Sequence, residues 1–373
     1  MERFSDIMKG KFGFGCMRMQ LNDKGEVDLD NFRAMVDCYL EAGFNYFDTA
    51  HGYYDGKSEA ALKAGLTSRY PREAYLLTNK LSPNFFESEE EIRPLFQTQL
   101  DACGVDYFDF YLFHAMNTEF IEKYERLHAF ETVQALKAEG RIRHIGTSFH
   151  DKAEVLDRLL TTHPEIEIVQ IQYNYLDLDD PNVQSAACLE VCKKHDKPVL
   201  IMEPVKGGSL VFLPEQSLAV VRELNEGSPA SLALRFAAES DQVVMVLSGV
   251  TTLAQMQENV VVMKDLRPLS AEAHAAIETI RAQIHALHLI ECTGCRYCVE
   301  GCPMQVKIPG IFRCMNDAIK FPGQGAGHYN WITGRGGKAS DCIQCGACEE
   351  ICPQHLPIRD LLTQAAAQFE ALY

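Results

Sequence analysis

DNFRAMVDCYLEAGFNYFD, Asp30 to Asp48, holds a helix, a stop and a strand in immediate succession. In the predicted helix Asp30–Ala42, Phe32, Met35, Val36, Tyr39 and Leu40 recur at spacings of three and four, which lines one helix face with apolar side chains. Gly43 ends that helix, because glycine adopts the left-handed conformation after a last turn at little cost. The strand Phe44–Asp48 follows at once. Outward from this stretch, short apolar runs alternate with amphipathic segments to about residue 265, the signal of repeated βα units around a parallel sheet. Eight strands are predicted: Lys11–Cys16, Phe44–Asp48, Tyr75–Lys80, Phe108–His114, Arg143–Ser148, Ile168–Tyr173, Val199–Glu203 and Val243–Ser248. Ser228 followed by Pro229 marks another helix start, a capping residue and then proline at the first helical position. Eight strands with seven or eight helices favour an α/β fold of the closed (β/α)8, or TIM barrel, kind over a doubly wound sheet. No GxGxxG turn joins a first strand to a helix as a Rossmann domain requires.

A barrel needs about 250 residues, so a chain of 373 leaves room for a second, smaller domain. Ser270–His285 reads as one more helix, after which the periodicity is lost and cysteines begin at Cys292. The boundary is set near residue 288, giving a barrel over 1–287 and a second domain over 288–373. Within the latter, the glycine-rich segment Phe321–Gly337, with the only tryptophan, Trp331, reads as an irregular loop. Ile358–Leu372 reads as a closing amphipathic helix. Hydrophobic residues make up 47% and charged residues 23%, a composition that buries a core and argues against wholesale disorder. The net charge of −17 repels nucleic-acid phosphates and anionic membranes, so neither is expected as a partner. The N-terminal residues lack a long apolar core ahead of a small-residue cleavage site, and no 18-residue apolar run occurs, so the protein is expected in the cytoplasm.

Eight of the 14 cysteines fall in two compact groups. Cys292, Cys295, Cys298 and Cys302 precede Pro303; Cys342, Cys345, Cys348 and Cys352 precede Pro353. Both groups read C-x2-C-x2-C-x3-C-P. Two-residue spacers let three thiolates from one turn of chain converge on a cubane, whereas zinc sites use pairs of cysteines rather than runs of four. Two [4Fe–4S] clusters are therefore predicted. The region 288–356 resembles a bacterial two-cluster ferredoxin domain, and that resemblance implies exchange of the fourth ligand: Cys302 to the second cluster and Cys352 to the first. The span between the motifs is long, so an insertion with His328, Tyr329 and Trp331 either packs on the barrel surface or reaches the barrel mouth. Cys16, Cys38, Cys103, Cys188, Cys192 and Cys314 are read as ordinary core or surface residues.

In the barrel, Asp48, Lys80 and His114 end consecutive strands, and Tyr53 follows Asp48 closely. This is the face where barrel active sites form. Singly, a strand-end Asp caps, a Lys snorkels and a His packs; together they suit carbonyl reduction, in which hydride reaches carbon and a proton must reach oxygen. Tyr53 is the proton donor, with an ordinary pKa of about 10 that a neighbouring ammonium lowers. Lys80 supplies that charge, Asp48 holds it, and His114 bonds the carbonyl oxygen. None of this chemistry needs a metal.

These residues resemble the aldo/keto reductase family over 10–265, whose Asp, Tyr, Lys and His tetrad matches Asp48, Tyr53, Lys80 and His114. The resemblance implies NADP(H) or NAD(H) as cofactor. Ser148 in GTSF and Gln170 in VQIQYN match strand ends that hold the nicotinamide carboxamide. IMEPVKGG, with Met202, Pro204 and Lys206, and LSGVTTLAQMQEN, with Gly249, Glu258 and Asn259, match segments that hold the pyrophosphate and adenosine. Glu258 and Asn259 would face the adenine. Several positions depart from the family: Phe149 replaces a common Asn, Met202 an aromatic ring, and Gly249 and Gln255 a Lys and an Arg that grip the 2′-phosphate, so NADPH preference is not secured. Lys206 either reaches the pyrophosphate or stands as a solvated loop residue.

The adopted reading is an NAD(P)H-dependent reductase of a small-molecule carbonyl, whose clusters support the domain or exchange electrons with a ferredoxin-like or other redox protein. One alternative is a ferredoxin-linked reductase fed single electrons through the clusters. Another is an electron carrier or redox sensor with a ligand-binding barrel. Nothing in the pocket-lining sequence names the substrate.

Overall fold

The computed structural model describes residues 4–22, 24–54, 56–181, 183–287, 289–290, 292, 297–320, 325–334, 336–350, 352 and 356–370. The chain packs as two compact units, one of Met1–Val211 with Gly227–Ala271, the other of Phe212–Glu226 with Glu272–Tyr373. The second unit thus takes in most of the helix Ala271–His285 and a segment lying ahead of the strand Val243–Ser248 in sequence.

In the first unit eight parallel strands close into a barrel in sequence order. They are β1 (Phe12–Gly15), β2 (Tyr46–Asp48), β3 (Leu76–Leu81), β4 (Phe108–Met116), β5 (Ile142–Phe149), β6 (Ile168–Gln172), β7 (Val199–Met202) and β8 (Val243–Ser248). Closure runs through β8 and β1, with Phe12 opposite Val246 and Phe14 opposite Ser248. Each expected strand is present, with ends shifted by a residue or two. The helix read from the opening stretch spans Leu29–Glu41; Asp28 caps it by accepting from the Asn31 N–H, and Gly43 takes a positive φ of 96°. The helix Pro229–Ala238 begins with Ser228 as its cap, accepting from the Ser231 N–H, as the Ser–Pro pair predicts.

Side chains alternate across a strand, so each inward row runs from barrel floor to barrel mouth in steps of two. The floor is apolar: Tyr46, Phe110, Leu112, Ile168, Leu200, Met245 and Leu247 pack with Met8. Two residues on from Tyr46, Leu112, Ile168 and Leu200 stand Asp48, His114, Gln170 and Met202. Gly146 lies where no side chain fits; a β-carbon there meets Ile168 at 2.7 Å and Leu112 closer still. The helix Phe4–Ile7 adds Phe4 and Ile7 to the floor cluster, a plug that the sequence pattern did not announce.

In the second unit the helices Ile308–Lys320, Ala326–Thr333 and Ile358–Phe369 share a core of Ile308, Ile311, Phe312, Tyr329, Leu362 and Phe369. The loop expected over Phe321–Gly337 is corrected: Ala326–Thr333 is helical, because its Tyr329 stacks on Phe369 with ring centres 4.8 Å apart and accepts the Ala339 N–H through its hydroxyl. Trp331 on that helix is 78% exposed. No helix among the described residues is long and apolar enough to cross a membrane.

Candidate active site

At the C-terminal end of the barrel, β2 ends on Asp48 and β3 carries Lys80, both buried. Lys80 Nζ donates to Asp48 Oδ1 at 2.7 Å, to the Thr49 carbonyl at 2.8 Å and to Tyr53 Oη at 3.5 Å. A buried ammonium without partners would lose its proton; here burial pulls the Lys80 pKa down, but Asp48 and Tyr53 outweigh it and hold the group above its ordinary value. Burial pushes the Asp48 carboxyl up, with Lys80 opposing. His114, near the end of β4, faces the Tyr53 ring edge-on with centres 6.1 Å apart, and its Nδ1 lies 2.6 Å from Ser82 Oγ. Burial first, then the charge of Lys80, drives its pKa well below the ordinary value, so the ring is neutral. The structure thus brings all four tetrad candidates together.

One expectation is corrected. The net shift of the Tyr53 phenol is upward, because burial outweighs the downward pull of Lys80. Its proton is therefore held more firmly than the sequence suggested, which keeps it in the donor form.

The loop carrying Tyr53 is pinned from beneath. Glu59, wholly buried, accepts from Asn79 Nδ2 at 2.7 Å and lies 2.9 Å from His51 Nδ1. Asn79 in turn accepts the Lys80 backbone N–H, so one network fixes both the tyrosine loop and the lysine strand. Ser58 ties the same loop to the Cys16 carbonyl at 2.9 Å.

The remaining candidates line the next strand ends in turn. Ser148 stands one residue before the end of β5 with its Oγ 3.8 Å from Met202 Sδ on β7, and Gln170 on β6 donates to Asp48 Oδ2 at 3.4 Å. Pro204 is buried beyond β7. Lys206 turns its ammonium to Asp177, a buried carboxylate that needs a counter-charge. Past β8, the stem of Arg18 fills the space beside Gly249, 2.8 Å from a β-carbon built there. Gln255 is engaged in the capping box of the helix Leu253–Lys264, accepting from the Thr251 and Thr252 N–H groups. Glu258 accepts from Ser228, and the buried Asn259 donates to Ser248 Oγ at 3.0 Å.

Three features escaped the sequence reading. Arg18 brings a guanidinium to this end of the barrel from the β1 loop, 3.8 Å from Glu203. The His51–Glu59 pair ties the Tyr53 loop to the helix Lys57–Leu62 that follows it. His150, just past the end of β5, places Nε2 3.3 Å from Ser148 Oγ, and its signal was readable: it stands two residues beyond Ser148 in extended chain.

In the second unit, Cys302, Cys342, Cys345 and Cys348 line one cavity together with Met304, Val306, Ile343 and Leu362. Four thiols around an apolar hollow are the donor set of a [4Fe–4S] cluster, and the fourth comes from the other motif, as the exchange of ligands requires. Of the other set, Cys292, Cys298 and Cys352 pack in the same core, and Cys295 lies outside the described residues.

Residues 11–282 match the model of the aldo/keto reductase family, and 291–356 match that of the 4Fe–4S dicluster domain. The chain belongs to the aldo/keto reductase family and carries a ferredoxin-type 4Fe–4S domain C-terminal to the barrel. It is an oxidoreductase. The NADH-specific methylglyoxal reductase of Escherichia coli (strain K12) is 26% identical over 304 residues, 69% of this chain and 90% of that protein. The L-galactose dehydrogenase of Arabidopsis thaliana is 26% identical over 285 residues, 69% and 87% of the two chains. Among solved structures, the holo form of aldo-keto reductase AKR11C1 from Bacillus halodurans is similar at 27% identity and a TM-score of 0.60, over 73% of this chain and 92% of that one.

Proposed function

We propose that the barrel is an NAD(P)H-dependent reductase of small aldehydes or ketones, working in a reducing cytoplasm, with two [4Fe–4S] clusters in the C-terminal domain that lie off the path of the hydride. The observation that carries this reading is the buried Asp48–Lys80–Tyr53 chain, with neutral His114 across from the phenol.

A bound nicotinamide supplies the hydride. Ser148 and Gln170 would hold its carboxamide and Met202 would lie against its ring; Pro204, Gly249 and Lys206, whose ammonium faces Asp177, would stand beside the pyrophosphate, and Glu258 and Asn259 would face the adenine. His114 has Nδ1 occupied by Ser82 and uses its other nitrogen to orient the substrate oxygen. Tyr53 passes its Oη proton to that oxygen, and the Lys80 ammonium stabilises the phenolate left behind. Asp48 keeps the ammonium charged and aimed.

NADH serves at least as well as NADPH. With glycine at 249 and Gln255 spent on a helix cap, two cations that would grip a 2′-phosphate are missing, and the E. coli relative is named as NADH-specific. A ratio of KM values strongly favouring NADPH would refute this part. The clusters support their domain or exchange electrons with a separate redox protein.

The test is anaerobic. NADH or NADPH is added to protein with oxidised clusters, while cluster bleaching and reduction of a panel of aldehydes and ketones are followed together. Turnover without bleaching, abolished in Tyr53→Phe, supports the proposal. Bleaching by nicotinamide, or a demand for reduced ferredoxin, favours electron delivery through the clusters instead.

A further inference from the structure

We infer that His150 is a ligand of the nicotinamide carboxamide, sharing that group with Ser148; this rests on the reading of the barrel as a nicotinamide-dependent reductase.

The strand geometry comes first. Ser148 and His150, the latter one residue past the end of β5, meet on one side of the chain, while Phe149 turns to the other. Phe149 is 2% exposed, packed in the apolar core and opposite Met116 of β4, so it offers nothing to a ligand. The His150 backbone is fixed by its N–H, which donates to the Met116 carbonyl at 2.8 Å. Its side chain is exposed while Nε2 stays 3.3 Å from Ser148 Oγ.

Hydrogen-bond supply and demand then assign the role. A carboxamide has an oxygen that accepts and an NH2 that donates, and it needs partners for both once water is excluded. Of the polar groups beside it, Gln170 directs its NH2 at Asp48 and keeps its amide oxygen to accept from the carboxamide NH2, and the Met202 sulfur donates nothing. Ser148 alone provides a single donor. With Nε2 engaged by Ser148 Oγ, the neutral imidazole of His150 has its other nitrogen left to bond the carboxamide's remaining oxygen lone pair or N–H.

The experiment is calorimetric titration of the full cluster-bearing chain, under anaerobic conditions, with NADH and separately with ADP-ribose, which shares everything but the nicotinamide. His150→Ala is expected to weaken NADH about tenfold, the worth of one buried hydrogen bond, and to leave ADP-ribose within twofold of wild type. His150→Asn, which keeps a donor and an acceptor, is expected to bind NADH within about threefold of wild type. The inference is overturned if His150→Ala binds NADH normally, if both ligands weaken alike, or if His150→Asn is as weak as His150→Ala. Wild-type protein that binds neither ligand overturns the nicotinamide reading itself, a failure visible before any variant is made.

Discussion

Tyr53 and its neighbours carry the sharpest expectations. Tyr53→Phe removes the proton and leaves the ring, so kcat for carbonyl reduction falls by about 10²–10⁴-fold while NADH affinity holds; stopped-flow turnover with parallel titration checks both. His114 is neutral because burial and Lys80 depress its pKa well below 6.5. Lowering pH through the ordinary histidine range therefore leaves it unprotonated, and kcat/KM shows no imidazole inflection between about pH 6 and pH 8. An inflection near 6.5 would mean a charged, solvated ring. The identities of Asp48, Tyr53, Lys80 and His114 were legible because strand ends can be counted from the apolar pattern. The direction of the Tyr53 shift was not, since it depends on how much protein surrounds the phenol. Likewise, Lys206 shows no sign in sequence of its partner Asp177, 29 positions away.

At the scale of elements, the barrel was readable because each strand repeats one period and each helix one other. Ser228–Pro229 fixed a helix start to the residue. The helix Ala326–Thr333 was hidden by its brevity and by Gly325, Gly327 and Gly334 in and around it; tertiary packing of Tyr329, rather than local propensity, makes it. Two substitutions test the barrel's construction. Gly146→Ala forces a methyl against Leu112 and Ile168 and should cost about 1–3 kcal/mol by denaturant unfolding; an unchanged midpoint would show that β5 and β6 have room to shift. Glu167, beside β6, meets Lys137, His144 and the Ile145 N–H, and although burial raises its carboxyl, those partners bring it down to about 2 from 4.5. A depressed carboxyl stabilises above its unfolded pKa and loses that contribution as pH falls through its folded one. Glu167→Gln should therefore cost up to about 3 kcal/mol near neutrality and flatten the acid loss of stability between about pH 4.5 and pH 2.

Across the whole molecule, a net charge of −17 and two compact units accompany a family barrel joined to a 4Fe–4S domain. The cysteine spacing alone fixed the ligand type, and the cavity shared by Cys302 with Cys342, Cys345 and Cys348 supports the crossed ligation. Cys302→Ala should therefore produce the same loss as Cys345→Ala, from about eight irons per chain toward about four, with the same electron-spin signal removed. If Cys302→Ala instead matched Cys292→Ala, each motif would hold its own cluster. The central claim, direct hydride transfer in the barrel, is tested most directly with NADH deuterated at the transferring carbon, a reducible aldehyde and anaerobic protein. The account predicts deuterium on the carbinol carbon of the product, with none released to water. Product formed without deuterium at that carbon would contradict it and route the electrons through another carrier.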